Sequence, residues 1–242
     1  MTQRRSALFL AASFVSGLLL LPAPALACRL ALALGFDVSR SVDESDYRLQ
    51  QDGIVAALFD PEIRALILNS AEPVMLSLFE WAGQRQQTLI VGWTRLDSPA
   101  AIDQVALQVL AHRRQITGLT AVGSALLYGR DLLQRQPDCL WHTLDLAGDG
   151  KVNDGPEPRR IYDTTDFGGI VVNALVVGEH ESDVLRWFEQ NVLHGPGAFA
   201  EFAATQDHFG ETFRRKLIRE LSDSLLSAAQ PAADDPVTLG YP

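Results

Sequence analysis

A chain of 242 residues with 30 acidic and 20 basic side chains carries a net charge of −10, and an acidic surface of that kind repels nucleic acid and anionic membranes. No Lys/Arg cluster interleaved with aromatics argues the other way. The length fits one domain with a full core.

Arg4 and Arg5 precede an apolar run from Ala7 to Leu21, followed by Pro22, Pro24 and the small-residue pattern Ala25-Leu26-Ala27. That is the pattern of a secretory signal peptide cleaved after Ala27, so residues 1–27 read as a leader and the destination as periplasmic or secreted. A transmembrane anchor is the competing reading, but the run is shorter than the ~20 residues that span a bilayer and ends in helix breakers. Loss of Arg4 and Arg5 with the leader takes the net charge from −10 to −12.

Arg29 to Asp37, RLALALGFD, is a continuous apolar run suited to a strand buried on both faces. Ser41-Val42-Asp43-Glu44-Ser45-Asp46 supplies N-cap and first-turn chemistry for a helix to about Phe59. After Asp60-Pro61 and a short helical piece, Val74 to Trp81 and Thr88 to Trp93 read as a hairpin around the polar turn Ala82-Gly83-Gln84. Ser98 caps a helix to about Arg113, and Thr120 opens another to about Leu133. Leu140 to Ala147 is a fourth strand ending in Gly148-Asp149-Gly150, and Gly169 to Val177 a fifth. A helix over Ser182 to Leu193, a short sixth strand over Phe199 to Ala203 and an amphipathic helix over His208 to Leu226 complete the domain, 28–228. Residues 229–242 mix Pro, Ala, Asp and Gly without periodicity and read as a mobile tail.

Strands alternating with helices predict an α/β architecture, a mostly parallel sheet covered on both faces. Ligands of such sheets bind at the carboxyl ends of strands, near a switch point, and Asp37 and Asp149 both sit at such ends.

The sharpest local signal is Asp37-Val38-Ser39-Arg40-Ser41, a D-x-S-x-S run where the first strand stops. Alternate residues of an extended segment point the same way, so one carboxylate and two hydroxyls converge above the strand end. Oxygen donors of this kind suit Mg²⁺, Mn²⁺ or Ca²⁺ and are poor for softer metals. A second reading stays open, in which Asp37 and Ser41 cap the helix and Ser39 bonds a loop carbonyl.

With these residues the chain resembles the von Willebrand factor A family, whose metal-ion-dependent adhesion site joins D-x-S-x-S to a Thr and a second Asp from later loops. Thr120, within Gly118-Leu119-Thr120-Ala121-Val122-Gly123-Ser124, is similar to the family's Gly/Thr loop, and Asp149 follows the fourth strand. The resemblance implies a doubly wound six-stranded sheet of order 3-2-1-4-5-6, with strand three antiparallel at the edge. It implies direct metal bonds from Ser39 and Ser41, a direct or water-mediated one from Thr120, and mostly water-mediated ones from Asp37 and Asp149. Mg²⁺ is the first expectation, with Mn²⁺ or Ca²⁺ as alternatives. One departure is Gly148, where the family commonly has Thr or Ser. Beyond the site, DVSRSVDESDYRLQQDG, TAVGSALLYGRDLL, GDGKVNDG, GPGAF and RRKLIREL resemble a family of proteobacterial exported A-domain proteins of unassigned function.

With strands one and four as the parallel neighbours this order implies, the two cysteines fall into place. Cys28 lies nine residues before Asp37 and Cys139 ten before Asp149, so both thiols reach the opposite end of the sheet and pair. A lipid on Cys28 is the alternative, because Ala25-Leu26-Ala27-Cys28 partly resembles a lipoprotein signal.

Other motifs fail on spacing. Gly148 to Lys151 lacks the G-x-x-x-x-G-K-[ST] pattern, and the stretch from Asp149 to Gly155 fails the calcium-hand pattern and reads as a turn. His112, His142, His180, His194 and His208 have no zinc-enzyme spacing, and Ser124 is not in a G-x-S-x-G elbow. Trp81, Trp93, Trp141 and Trp187 read as core, and Gly195-Pro196-Gly197-Ala198-Phe199 as a shaped entry to strand six or one border of a binding face.

Three neutral hydroxyls leave a divalent cation poorly neutralised, so an open position favours an anionic oxygen from outside. The expected function is therefore an exported, adhesion-type module that binds a protein partner through an Asp or Glu carboxylate and is not an enzyme. Two alternatives stand beside it: a metal-assisted hydrolase, against which counts the lack of a paired general base in the motif loops, and a structural A fold with an empty site.

Overall fold

The computed structural model describes residues 28–136 and 138–229. The leader expected at 1–27 and the tail expected at 229–242 lie outside them, apart from Ala229, which closes the last helix.

The first apolar run forms β1 (Cys28–Asp37), buried along its whole length. The rest alternates as expected: α1 (Glu44–Phe59), α2 (Pro61–Leu68), β2 (Val74–Trp81), β3 (Gln87–Leu96), α3 (Pro99–Ala111), α4 (Val122–Leu133), β4 (Cys139–Gly148), α5 (Pro158–Thr164), β5 (Ile170–Val177), α6 (Val184–Asn191), β6 (Ala200–Ala203) and α7 (Phe209–Ala229). The six strands form one sheet of order β3-β2-β1-β4-β5-β6. β3 alone runs antiparallel, joined to β2 by the hairpin. Among the described residues no helix is long and apolar enough to cross a membrane.

Alternation along β1 divides the core in two. Leu30, Leu32, Leu34 and Phe36 face α1, α2, α3 and α7, while Ala31 and Ala33 face α4, α5 and α6. The second face of β1 is small because neighbouring strands send large groups across it. A Cβ on Gly35 would stand 2.5 Å from Phe79 Cζ and 2.7 Å from a Leu146 methyl, so only glycine fits there.

Several boundaries differ from the expectation, each for a local reason. α1 starts at Glu44 because Asp43 is its N-cap, accepting from the Ser45 and Asp46 amides. α4 starts at Val122 behind Ala121 without a side-chain cap. β3 is longer than Thr88 to Trp93 and is interrupted by register shifts opposite β2. α5, only seven residues from Pro158, was too short to show a period. Trp81 is fully buried and Trp93 and Trp187 are partly buried, but Trp141 is 41% exposed. β4 runs past the start of β5, which pairs only from His142, so Trp141 has β1 alone as a neighbour.

β1 and β4 pair in parallel from Cys28↔Cys139 to Phe36↔Ala147. The two cysteines, directly opposite with Cα atoms 4.5 Å apart, form the expected disulfide. A bonded Cys28 has no thiol left to carry a lipid.

α7 is tied to the centre of the sheet by a buried cation. Lys216 Nζ lies 2.6 Å from Asp145 Oδ2 and 2.6 Å from Glu220 Oε1. Asn173 donates to the same Glu220 oxygen at 2.8 Å and accepts from the Phe199 amide at 3.0 Å. One cation for two carboxylates is incomplete neutralisation. Burial, and after it the Asp145 charge, pushes the Glu220 carboxyl from its ordinary 4.5 up to about 7.

A carboxyl that holds its proton longer when folded contributes stability below its unfolded value, and that contribution is lost as pH rises through the folded value. Glu220→Gln, neutral throughout, is therefore expected to gain melting temperature relative to wild type as pH rises from 4.5 to 7. Calorimetric scans across that window check this; a difference that stays flat contradicts the assigned proton.

Candidate metal centre at the ends of β1 and β4

The parallel register that brings Cys28 to Cys139 also fixes the other end of the strands. Asp37 is the last residue of β1 and Asp149 the first beyond β4, so two carboxylates leave adjacent strands at the same edge. The loop after Asp37 turns back on itself, the Ser39 amide donating to Asp37 Oδ1 at 2.7 Å. Ser39 Oγ and Ser41 Oγ are 3.2 Å apart, and Ser41 Oγ donates to Asp149 Oδ1 at 2.8 Å. Thr120 Oγ1, from the loop before α4, donates to Ser39 Oγ at 3.3 Å. The five residues singled out in the sequence thus form one hydrogen-bonded cluster. Neither Asp37 nor Ser41 caps α1, since Asp43 does.

Asp37, Ser39, Thr120 and Asp149 are buried and Ser41 is exposed, so the cluster opens to solvent on the Ser41 side. Asp37 Oδ2 and Asp149 Oδ2 are buried and have no hydrogen-bond partner among the described residues. Burial, reinforced by the Asp149 charge, pushes the Asp37 carboxyl up to about 8, and burial raises Asp149 as well. Two bare carboxylate oxygens and three hydroxyls make an all-oxygen donor set that fits a hard divalent cation. Among the described residues no group of three or more His, Cys, Asp and Glu side chains is placed to hold a metal; this cluster has two carboxylates and relies on hydroxyls for the rest.

Gly148 explains one of the bare oxygens. A Cβ there would lie 3.1 Å from Phe188 Cζ, 3.4 Å from Trp81 Cζ2 and 3.5 Å from Asp37 Oδ2. Glycine supplies no hydroxyl there, where the family commonly has Thr or Ser.

Three supporting residues carried no signal in the sequence. Arg114, beyond α3, donates to the carbonyls of Val42 (2.7 Å), Val38 (2.7 Å) and Ser39 (3.1 Å), holding the D-x-S-x-S loop by its backbone. Asn153 brackets Thr120, its Oδ1 accepting from the Thr120 backbone N–H at 2.8 Å and its own backbone N–H donating to the Thr120 carbonyl at 3.0 Å. The stretch read as a plain turn is therefore the clamp for Thr120. His180, half exposed on the loop after β5, brings Nε2 to 3.6 Å from Asp149 Oδ2.

Over residues 27–225 the chain matches the family described as "Protein of unknown function (DUF1194)". It belongs to that family. No curated protein matches the chain. Among solved structures it is similar to proximal thread matrix protein 1 from the mussel byssus "with zinc occupied MIDAS motif", at 16% identity and a TM-score of 0.58, covering 81% of this chain and 46% of that one. It is similar to the pilus adhesin SpaC from Lactobacillus rhamnosus GG in its open conformation, at 13% identity, a TM-score of 0.57 and coverage of 83% and 30%. A von Willebrand factor type A protein from Catenulispora acidiphila matches at 14% identity, a TM-score of 0.55 and coverage of 80% and 43%. The chain spans less than half the length of each of these three. The likeness establishes the fold, a von Willebrand factor A-like one.

Burying two carboxylates together without a cation is unfavourable, so Asp37→Asn is expected to stabilise the protein in chelator. The gain should be on the order of 1–3 kcal/mol in alkaline buffer, where both acids are pressed to ionise. The new Oδ1 still accepts the Ser39 amide. A lower melting temperature in chelator would mean that the Asp37 charge is already compensated.

Proposed function

We propose that this chain is an exported binding module that holds one divalent cation between Asp37, Ser39, Ser41, Thr120 and Asp149 and presents it to a carboxylate on a partner protein. The observation that carries the reading is the pair of buried oxygens on Asp37 and Asp149 that no hydrogen bond among the described residues satisfies, in one cluster with three hydroxyls beside a solvent opening. Ser39 and Ser41 are the direct donors, Thr120 a third, direct or through water, and the two carboxylates act mainly through water. Mg²⁺ is the first candidate, since it keeps waters and suits few direct protein donors; Mn²⁺ and Ca²⁺ are alternatives.

When bound, the cation supplies a positive charge that hydroxyl donors leave largely uncancelled, and so attracts an anionic oxygen. The chain's own residues do the rest. Arg114 fixes the loop and Asn153 fixes Thr120. A partner's Asp or Glu is the group that fits, and the module works by binding rather than catalysis. Relatives named as an adhesin and a matrix protein, one with zinc in the corresponding motif, support a protein-binding role. The leader pattern at 1–27 supports a periplasmic or secreted setting.

Titration calorimetry with Mg²⁺ and Mn²⁺ is expected to show one site in wild type and none in Asp149→Ala. Thr120→Ala should weaken capture of exported partner proteins more than it weakens metal binding. Equal metal affinity in wild type and Asp149→Ala, or none in either, overturns the reading.

A further inference from the structure

Residues 112–121 join α3 to α4 without forming helix or strand, yet they carry Arg114 and Thr120 to their places. No regular hydrogen-bond ladder holds such a segment, so its position depends on individual contacts. One anchor is apolar: Ile116 packs against Val38, Val42, Tyr47 and Ala82. The other is Glu80, the penultimate residue of β2, whose side chain is fully buried. Its Oε1 accepts the backbone N–H of Gln115 at 3.0 Å, and its Oε2 stands 3.3 Å from His112 Nε2. These two contacts bracket Arg114, which in turn holds the carbonyls of Val38, Ser39 and Val42. Glu80 thus grips both sides of the residue that grips the D-x-S-x-S loop.

The contact at His112 exists in two strengths. Glu80 Oε2 and His112 Nε2 are both buried, and neither has a satisfied hydrogen bond among the described residues, so charge decides what their approach is worth. Beside a neutral ring, that oxygen of a buried carboxylate faces no counter-charge, a costly state. Beside a protonated ring, the same atoms form a charge-assisted contact, roughly twice as strong as a neutral hydrogen bond. The ring stays within reach of Glu80 in either state, because the His112 backbone closes α3 as its C-cap and accepts from Gln51 Nε2 at 2.9 Å. A cavity of about 380 Å³ between α1 and the end of α3, lined in part by His112 and Arg114, gives protons a route to it.

The other charged or titratable groups around the pair come from two elements. α1 contributes Tyr47, with Glu44 and Arg48 joined to each other at 3.0 Å, and the segment itself contributes Arg113 and Arg114. The strands on either side of β2 place Phe36 and Thr88 opposite Glu80, and neither titrates. Burial, and after it the Glu80 charge, pushes the Tyr47 hydroxyl above its ordinary range, so it keeps its proton. Histidine is the residue type in this set that changes charge between pH 5 and 8. We propose that His112 and Glu80 form a proton-operated latch: charged, the pair pins residues 112–115 and, through Arg114, the D-x-S-x-S loop, and as pH rises and the ring loses its proton both segments loosen. The latch acts on loop order in the metal-free chain, so it goes beyond the binding function proposed above and does not rest on it.

Hydrogen–deuterium exchange of the full chain in chelator, read by mass spectrometry at pH 6 and pH 8 and corrected for intrinsic rates, tests it. Amides within 113–120 should be protected roughly fivefold more at pH 6 than at pH 8, the return on exchanging a neutral contact for a charge-assisted one. Segment 38–42 should change in the same direction. Glu80→Gln keeps an oxygen for the Gln115 N–H and removes the charge, so the pH dependence of both segments should be lost. His112→Gln, which leaves β2 untouched, should lose it as well. Equal protection of 113–120 at the two pH values in wild type, or a pH dependence that survives in either variant, overturns the latch. A pH dependence of 113–120 that 38–42 does not share overturns its transmission through Arg114. All of these outcomes are read without metal, so the latch and the metal centre stand or fall separately.

Discussion

The parallel pairing of β1 with β4 is the constraint on which the rest depends. Its register, set from Cys28↔Cys139 to Phe36↔Ala147, places a disulfide at one end and two carboxylates at the other. Closing a loop of 111 residues, the disulfide lowers the entropy of the unfolded chain, by up to ~4–5 kcal/mol in the chain-entropy model. The opposite end carries the liability. Asp37 and Asp149 are both buried, and each has one oxygen that no hydrogen bond among the described residues satisfies. Two carboxyls brought together in a dry place are relieved by a proton or by a shared cation, and under the reading proposed above the hydroxyls add donors for that cation without adding negative charge.

The loops around that point are arranged for rigidity. Arg114 reaches three carbonyls of the β1–α1 loop, and Asn153 binds Thr120 from both sides. Such outer contacts hold donors in position before any ion arrives, which lowers the ordering cost of binding. The Lys216 triad serves the same end from behind, fastening α7 to β4 and β5 beneath the strand ends. Buried ion pairs seldom add net stability, and with Asp145 Oδ1 and Glu220 Oε2 left bare this one is better understood as fixing where α7 sits.

Much of this was legible in the residues because strand ends are punctuated by composition. Apolar runs fixed the extents of β1, β4 and β5 within a residue or two, and D-x-S-x-S, joined to Thr120 and Asp149 by the family resemblance, names five residues that the fold brings together. What stayed hidden shares a physical character. Arg114, Asn153 and His180 are polar residues on irregular segments, and what each holds is set by tertiary contacts that local sequence does not show. Neither α5, with seven residues, nor the shift of the α1 cap from Ser41 to Asp43 follows from periodicity. Trp141 misled for the opposite reason: its apolar neighbours promised burial, but the strand that would have covered it starts one residue later.

The central claim is that the β1–β4 register builds a cation site out of oxygen atoms from three loops. Anomalous diffraction from crystals of the protein grown in Mn²⁺ addresses it directly. The account predicts a single strong peak ~2.1 Å from the hydroxyl oxygens of Ser39 and Ser41, with Asp37 and Asp149 around it. A map with no peak between those two carboxylates, or with its strongest peak elsewhere on the chain, would contradict it.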